Sequence, residues 1–126
     1  MKPCSGLVRI LALITLLVAS FAVAVDFDRL LTGMSQRFGQ AGTQSLRDWQ
    51  KLLEETGQLS AQEKLKRVNE FFNRRVRFGE DQQIWGQSDY WATPLETLGK
   101  GAGDCEDFTI AKYYTLRNLG LPNEQL

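Results

Sequence analysis

The apolar residues of this chain recur mostly at steps of three and four, in blocks separated by glycine and proline, which predicts a helical protein. A first amphipathic piece covers 27–38, glycines at 39 and 42 interrupt it, and Thr43 is placed to cap a second helix. Leu46, Trp49, Leu52 and Leu53 then share one face until Thr56-Gly57 ends the pattern. Ser60 and Glu63 have capping-box spacing and open a third helix, with Leu65, Val68, Phe71, Phe72 and Val76 as its buried stripe. From 78 to 92 the helical period is lost. The segment is rich in Gly, Gln and Asp and carries Trp85, Tyr90 and Trp91, which predicts a long ordered loop whose aromatics cover something. Thr93-Pro94 is a cap followed by proline in the first turn, so a short helix should run through Leu95 to Leu98. A glycine-spaced turn follows. Phe108, Ala111, Tyr114 and Leu119 then mark a last helix, stopped by Leu119-Gly120-Leu121-Pro122. No segment shows a run of strand alternation.

The first 24 of the 126 residues have a secretory layout, with Lys2 and Arg9 at the basic end, an apolar stretch over 10–23 and Ala22-Val23-Ala24 before the expected cut. An uncleaved inner-membrane anchor is the alternative, although the apolar stretch is shorter than the roughly 20 residues a span needs. Residues 25–126 then form at most one domain. They keep 13 of the 15 basic residues and all 15 acidic ones, and that near balance gives no reason to expect nucleic acid. The basic run Arg74-Arg75-Val76-Arg77 could meet phosphate or an acidic partner, but it reads better as a solvated helix end.

Once the leader is cut away with Cys4, Cys105 is the one remaining cysteine, and it has no internal disulfide partner in an oxidising compartment. It stands where the last helix begins, and the free backbone N–H groups and dipole there favour a thiolate. Glycines at 101 and 103 leave room for a substrate backbone. Asp104, Glu106 and Asp107 oppose this, because negative charge beside sulfur disfavours the thiolate. A divalent cation with hard oxygen ligands, Ca2+ above all, would cancel their charge; alternatively, the three acids simply complement the helix dipole. With one cysteine and no histidine, zinc is poorly supported. Trp85 and Trp91 could donate an indole N–H to an oxyanion or support the substrate site, although packing against the cysteine helix is the commoner use.

The residues Asp89-Tyr90-Trp91-Ala92-Thr93-Pro94-Leu95-Glu96-Thr97-Leu98, with Gly101-Ala102-Gly103-Asp104-Cys105-Glu106-Asp107-Phe108 and Ile110-Ala111-Lys112-Tyr113-Tyr114, closely resemble the bacterial transglutaminase-like cysteine proteinases of the periplasmic LapG type. The resemblance implies an α+β, papain-like transglutaminase-core fold, of which this chain supplies mainly the N-terminal helices, nucleophile helix included, while most of the sheet is missing. It implies a periplasmic, calcium-dependent endopeptidase that cuts a large surface adhesin, controls biofilm release and is sequestered by an inner-membrane receptor for cyclic di-GMP. On this likeness Cys105 matches the nucleophile, Asp104 and Glu106 match acidic neighbours that bind calcium, and Asp107 assists.

The chain departs from that pattern in having no histidine. Family members continue past the cysteine helix into strands that bring the histidine and the aspartate, so the 126 residues are expected to be the N-terminal part of such an enzyme and inactive by themselves. Two other functions stay open. One is a non-catalytic module that competes for the receptor or substrate; the other is an acyl transferase that passes the acyl group to an amine instead of water.

Overall fold

The computed structural model describes residues 5–126, with side chains from Asp26 onward. The expected leader over 1–24, Cys4 included, lies outside the residues whose side chains are described. Among the described residues no helix is long and apolar enough to cross a membrane. Helical backbone covers α1 (Ser5–Thr56), apart from Gly39 at φ 66°. The chain divides into two units, 1–33 and 34–126. In the first, Thr32 Oγ1 donates to the Asp28 carbonyl at 2.8 Å. The second unit holds the core and the candidate site.

The expected four-residue break is a single residue. Gly39 takes the left-handed φ that glycine tolerates, and helical backbone resumes at once. Thr43 therefore caps nothing; its hydroxyl donates back to the Gly39 carbonyl at 3.0 Å. Further along α1, Leu46, Trp49 and Leu52 are buried as their spacing predicts. Ser60 then caps α2 (Ala61–Arg75) by accepting the Glu63 N–H. Val68, Phe72 and Val76 of the expected stripe are buried, whereas Leu65 remains 38% exposed. Arg74 and Arg75 occupy the last turn of α2, and Arg75 is paired with Asp48, so the basic run is a helix end closed by a neighbour.

The 78–92 stretch is more structured than a loop. β1 (Arg77–Phe78) leads to α3 (Asp81–Ile84), one turn long. After α4 (Pro94–Lys100), Gly101 at φ 61° turns the chain into β2 (Ala102–Gly103). The two strands pair in parallel, Arg77 with Ala102 and Phe78 with Gly103. With two residues each, they are too short to carry an alternation signal. α5 (Cys105–Asn118) follows directly, and Gly120 at φ 84° closes its C-terminus.

Met34, Leu46, Trp49, Val68, Phe72, Leu98, Ala111 and Leu116 make the centre of the core, drawn from α1, α2, α4 and α5. Each fully buried large side chain contributes about 1.5–3 kcal/mol relative to exposure. Trp49 Nε1 donates to Thr115 Oγ1 at 2.9 Å, which satisfies the one polar atom of that ring inside the core. Tyr114, expected in the buried stripe, is 48% exposed; it stacks on Trp49 at 6.3 Å, so one ring face is covered and the other meets solvent.

Candidate active site

Cys105 is the first residue of α5 and carries a free, exposed thiol. Its position is set by a reciprocal capping box. Asp104 Oδ1 accepts the N–H groups of Glu106 at 3.1 Å and Asp107 at 3.2 Å, and Asp107 Oδ2 accepts the Asp104 N–H at 3.4 Å. The Asp104 carbonyl accepts the Phe108 N–H at 3.1 Å. In this first turn the amide of Cys105 has no intrahelical acceptor, which makes it the donor available to a developing oxyanion.

Asp107 is fully buried and also holds the preceding segment, since its Oδ1 accepts the Ala92 N–H at 2.8 Å. Gly103 makes room for it. A Cβ at position 103 would lie 2.7 Å from Asp107 Cβ and 3.0 Å from its Oδ2, so only glycine allows the strand and the carboxylate to approach this closely. Burial pushes the Asp107 carboxyl above its usual range; the two N–H donors pull it down, and the charges of Asp104 and Asp81 push it up again.

A second buried carboxylate organises the aromatic segment. Glu96 Oε1 accepts from Tyr90 Oη at 2.9 Å and from Arg37 Nη2 at 2.6 Å, while Oε2 accepts the Thr93 N–H at 2.9 Å and the Thr93 hydroxyl at 3.0 Å. Burial disfavours its charge, but these donors together outweigh it and bring the pKa down to about 2. The bond to that anion, with burial, raises the Tyr90 phenol. Tyr90 in turn packs on Trp85, centroid to centroid at 4.4 Å, and Lys100 Nζ lies 5.0 Å from the Trp85 ring.

The two tryptophans therefore differ. Trp85 belongs to this packed cluster, and its Nε1 is buried without a hydrogen-bond partner. Trp91 is 68% exposed, with its Nε1 donated to Asp89 at 3.1 Å. It precedes Ala92, which is tied to Asp107, so its ring stands on the segment anchored to the cysteine helix.

Of the three acidic residues singled out in the sequence, the structure brings Asp104 and Asp107 together, while Glu106 is exposed and stands outside the group. The third member is Asp81, with one oxygen from each of Asp81, Asp104 and Asp107 within 4.8 Å of one another. Hard carboxylate oxygens at this separation suit a cation such as Ca2+, and Asp81 Oδ1 is buried with no partner, an acceptor that a cation would satisfy. The residues present thus fit a divalent ion. Sequence reasoning passed over Asp81 because it lies in a stretch without helical period. Glu96 had a signal: Thr93 to Glu96 is capping-box spacing, and the box is formed. A groove of about 570 Å³ lined by Asp48, Arg67, Phe71 and Arg75 lies between α1 and α2 and includes none of these site residues.

An exposed thiol at a helix start, directly after the Asp104 capping box, is placed where free backbone N–H groups favour a thiolate. Residues 41–126 match the bacterial transglutaminase-like cysteine proteinase family, BTLCP, and the chain belongs to it. Among solved structures the chain is similar to LapG of Legionella pneumophila, with 30% identity and a TM-score of 0.63, over 78% of this chain and 53% of that one. The fold is thus the transglutaminase-like fold of that protein, in part, and the chain spans about half of its length. No curated protein sequence matches this chain.

Proposed function

We propose that this chain carries the nucleophile-bearing part of an exported, calcium-dependent cysteine endopeptidase that cuts a large surface adhesin and so governs release from biofilms. The observation that carries the reading is the exposed thiol of Cys105 at the first position of α5, in a chain that belongs to a family of cysteine proteinases. Cys105 Sγ attacks the scissile carbonyl and forms a thioester, with the oxyanion met by its own N–H. The exposed ring of Trp91 offers an apolar wall for the substrate, and Trp85 supports the segment from beneath. A divalent ion beside the nucleophile, held by acids among Asp104, Glu106 and Asp107 in the family's manner, would offset negative charge there and so favour the thiolate. On this reading residues 1–24 act as an export signal, and the protein works in the periplasm, where an inner-membrane receptor responsive to cyclic di-GMP would sequester it.

Expelling an amine from the tetrahedral intermediate needs a proton donor, and the 126 residues hold no histidine. Peptide cleavage therefore requires a donor from outside them. The second reading is a module that binds the receptor or the adhesin without cutting.

The test uses the native protein recovered from its own cells and mixed with the N-terminal region of a purified surface adhesin, with fragments read by mass spectrometry. Cleavage is expected in calcium and is expected to stop when the thiol is alkylated or calcium is chelated. Cleavage that survives alkylation would sink the assignment of Cys105. Firm binding without cleavage in every condition would favour the binding module.

A further inference from the structure

We propose that Asp81 is a direct ligand of the cation at the start of α5, so that the bound ion clamps the 81–92 segment onto the nucleophile helix. The inference rests on the calcium reading above for the identity of the ion, and on the structure for the identity of the ligand.

Asp81 is 5% exposed, yet its Oδ1 has no hydrogen-bond partner. Its Oδ2 accepts the Tyr90 N–H at 2.6 Å, so the carboxylate is held at one oxygen and unanswered at the other. Native proteins rarely leave a buried anion half-satisfied, because desolvation is then uncompensated. The unanswered residue belongs to a group of three, with ligand oxygens of Asp81, Asp104 and Asp107 within 4.8 Å of one another. Three carboxylates so close call for a positive charge, and among the described residues no ion pair is made by Asp81, Asp104 or Asp107. Glu106, although it adjoins Cys105, is exposed and outside the group.

The placement has a consequence for the segment in between. Asp81 fixes Tyr90 through its N–H, and Asp107 fixes Ala92 through its N–H, so the exposed Trp91 stands between two residues tied to two members of the acidic group. A cation shared by Asp81 and Asp107 joins these two ties into one. Calcium then acts on the substrate wall as well as on the charge near the thiol, and ion removal loosens Trp91.

The experiment measures Ca2+ affinity by calorimetry on the 126-residue chain and its Asp81→Asn and Glu106→Gln variants, with hydrogen exchange of the 79–92 peptide read with and without Ca2+. Asp81→Asn keeps an oxygen for the Tyr90 N–H and removes charge, so the ion-free variant should melt no lower than the parent. It should bind Ca2+ about tenfold or more weaker, given how strongly ligand charge sets affinity. Calcium should protect 79–92 in the parent and not in Asp81→Asn. Loss of affinity in Glu106→Gln with none in Asp81→Asn would overturn the inference and leave the calcium dependence standing. An equal fall in melting temperature with and without Ca2+, at unchanged affinity, would also overturn it, since Asp81 would then be structural only. No Ca2+ binding by the parent chain would overturn the inference together with the calcium part of the proposed function, while acylation of Cys105 would still report on the nucleophile separately.

Discussion

Replacing Glu96 by glutamine should both destabilise the protein and remove a specific piece of its acid sensitivity. The carboxylate takes hydrogen bonds from Arg37, Tyr90 and both donors of Thr93, and glutamine turns one of its two accepting ends into a donor that faces Thr93. The depression of the Glu96 pKa from 4.5 to about 2 corresponds to about 3 kcal/mol at 1.36 kcal/mol per decade. Because the Arg37 side chain is 61% exposed and its share is screened, about 2 kcal/mol is the working figure. A carboxyl whose pKa is lowered on folding stabilises the fold above its unfolded value. That contribution is present at pH 7 and is lost as pH falls from about 4.5 towards 2. Asp107 has the opposite sign: its carboxyl is raised by burial, so it costs stability at neutral pH and that cost is relieved on acidification. The difference between parent and Glu96→Gln cancels the Asp107 contribution. Urea unfolding followed by tryptophan fluorescence should therefore show the variant about 2 kcal/mol less stable at pH 7, with the gap closing as pH falls below 4.5. A gap under about 0.5 kcal/mol at pH 7, or one that is the same at pH 7 and pH 3, would refute the reasoning.

Gly103→Ala should cost about 1–3 kcal/mol, because the new Cβ falls 2.7 Å from Asp107 Cβ and must displace that carboxylate; a melting temperature equal to the parent's would contradict the close packing. Trp49→Phe keeps the ring against the core but leaves Thr115 without its indole donor, and should cost about 1–2 kcal/mol by urea unfolding; a neutral outcome would mean that the 2.9 Å bond contributes nothing net. The chain should take an acyl group on Cys105 from an activated aryl ester, whose leaving group needs no proton, while leaving peptide bonds uncut; intact-mass analysis checks both, and ester acylation at an unchanged level in Cys105→Ala would contradict the nucleophile.

Helix ends were legible in the sequence wherever a local side-chain device sets them. Ser60 caps α2, Thr93 and Pro94 open α4, and Gly120 closes α5, because each acts on backbone groups within a few residues. The resemblance carried family and fold, and the position of Cys105 at the start of α5 followed from the turn before it. The Gly39 break was overestimated because a single left-handed residue is enough there. β1 and β2 were invisible, since their pairing depends on bringing Arg77 next to Ala102 rather than on any local pattern. Asp81 stayed hidden for the same reason. Its neighbours Asp104 and Asp107 are more than twenty positions away in the chain, and only the fold brings their carboxylates together.

The central claim, that Cys105 is the nucleophile of an adhesin-cutting protease, is tested most directly in the cell. The gene is replaced by its Cys105→Ala form at its native locus, and the medium is assayed by mass spectrometry for the released adhesin. The account predicts adhesin truncated near its N-terminus in the parent medium, and full-length adhesin kept on the cells of the variant. The same truncated product in both strains would contradict it.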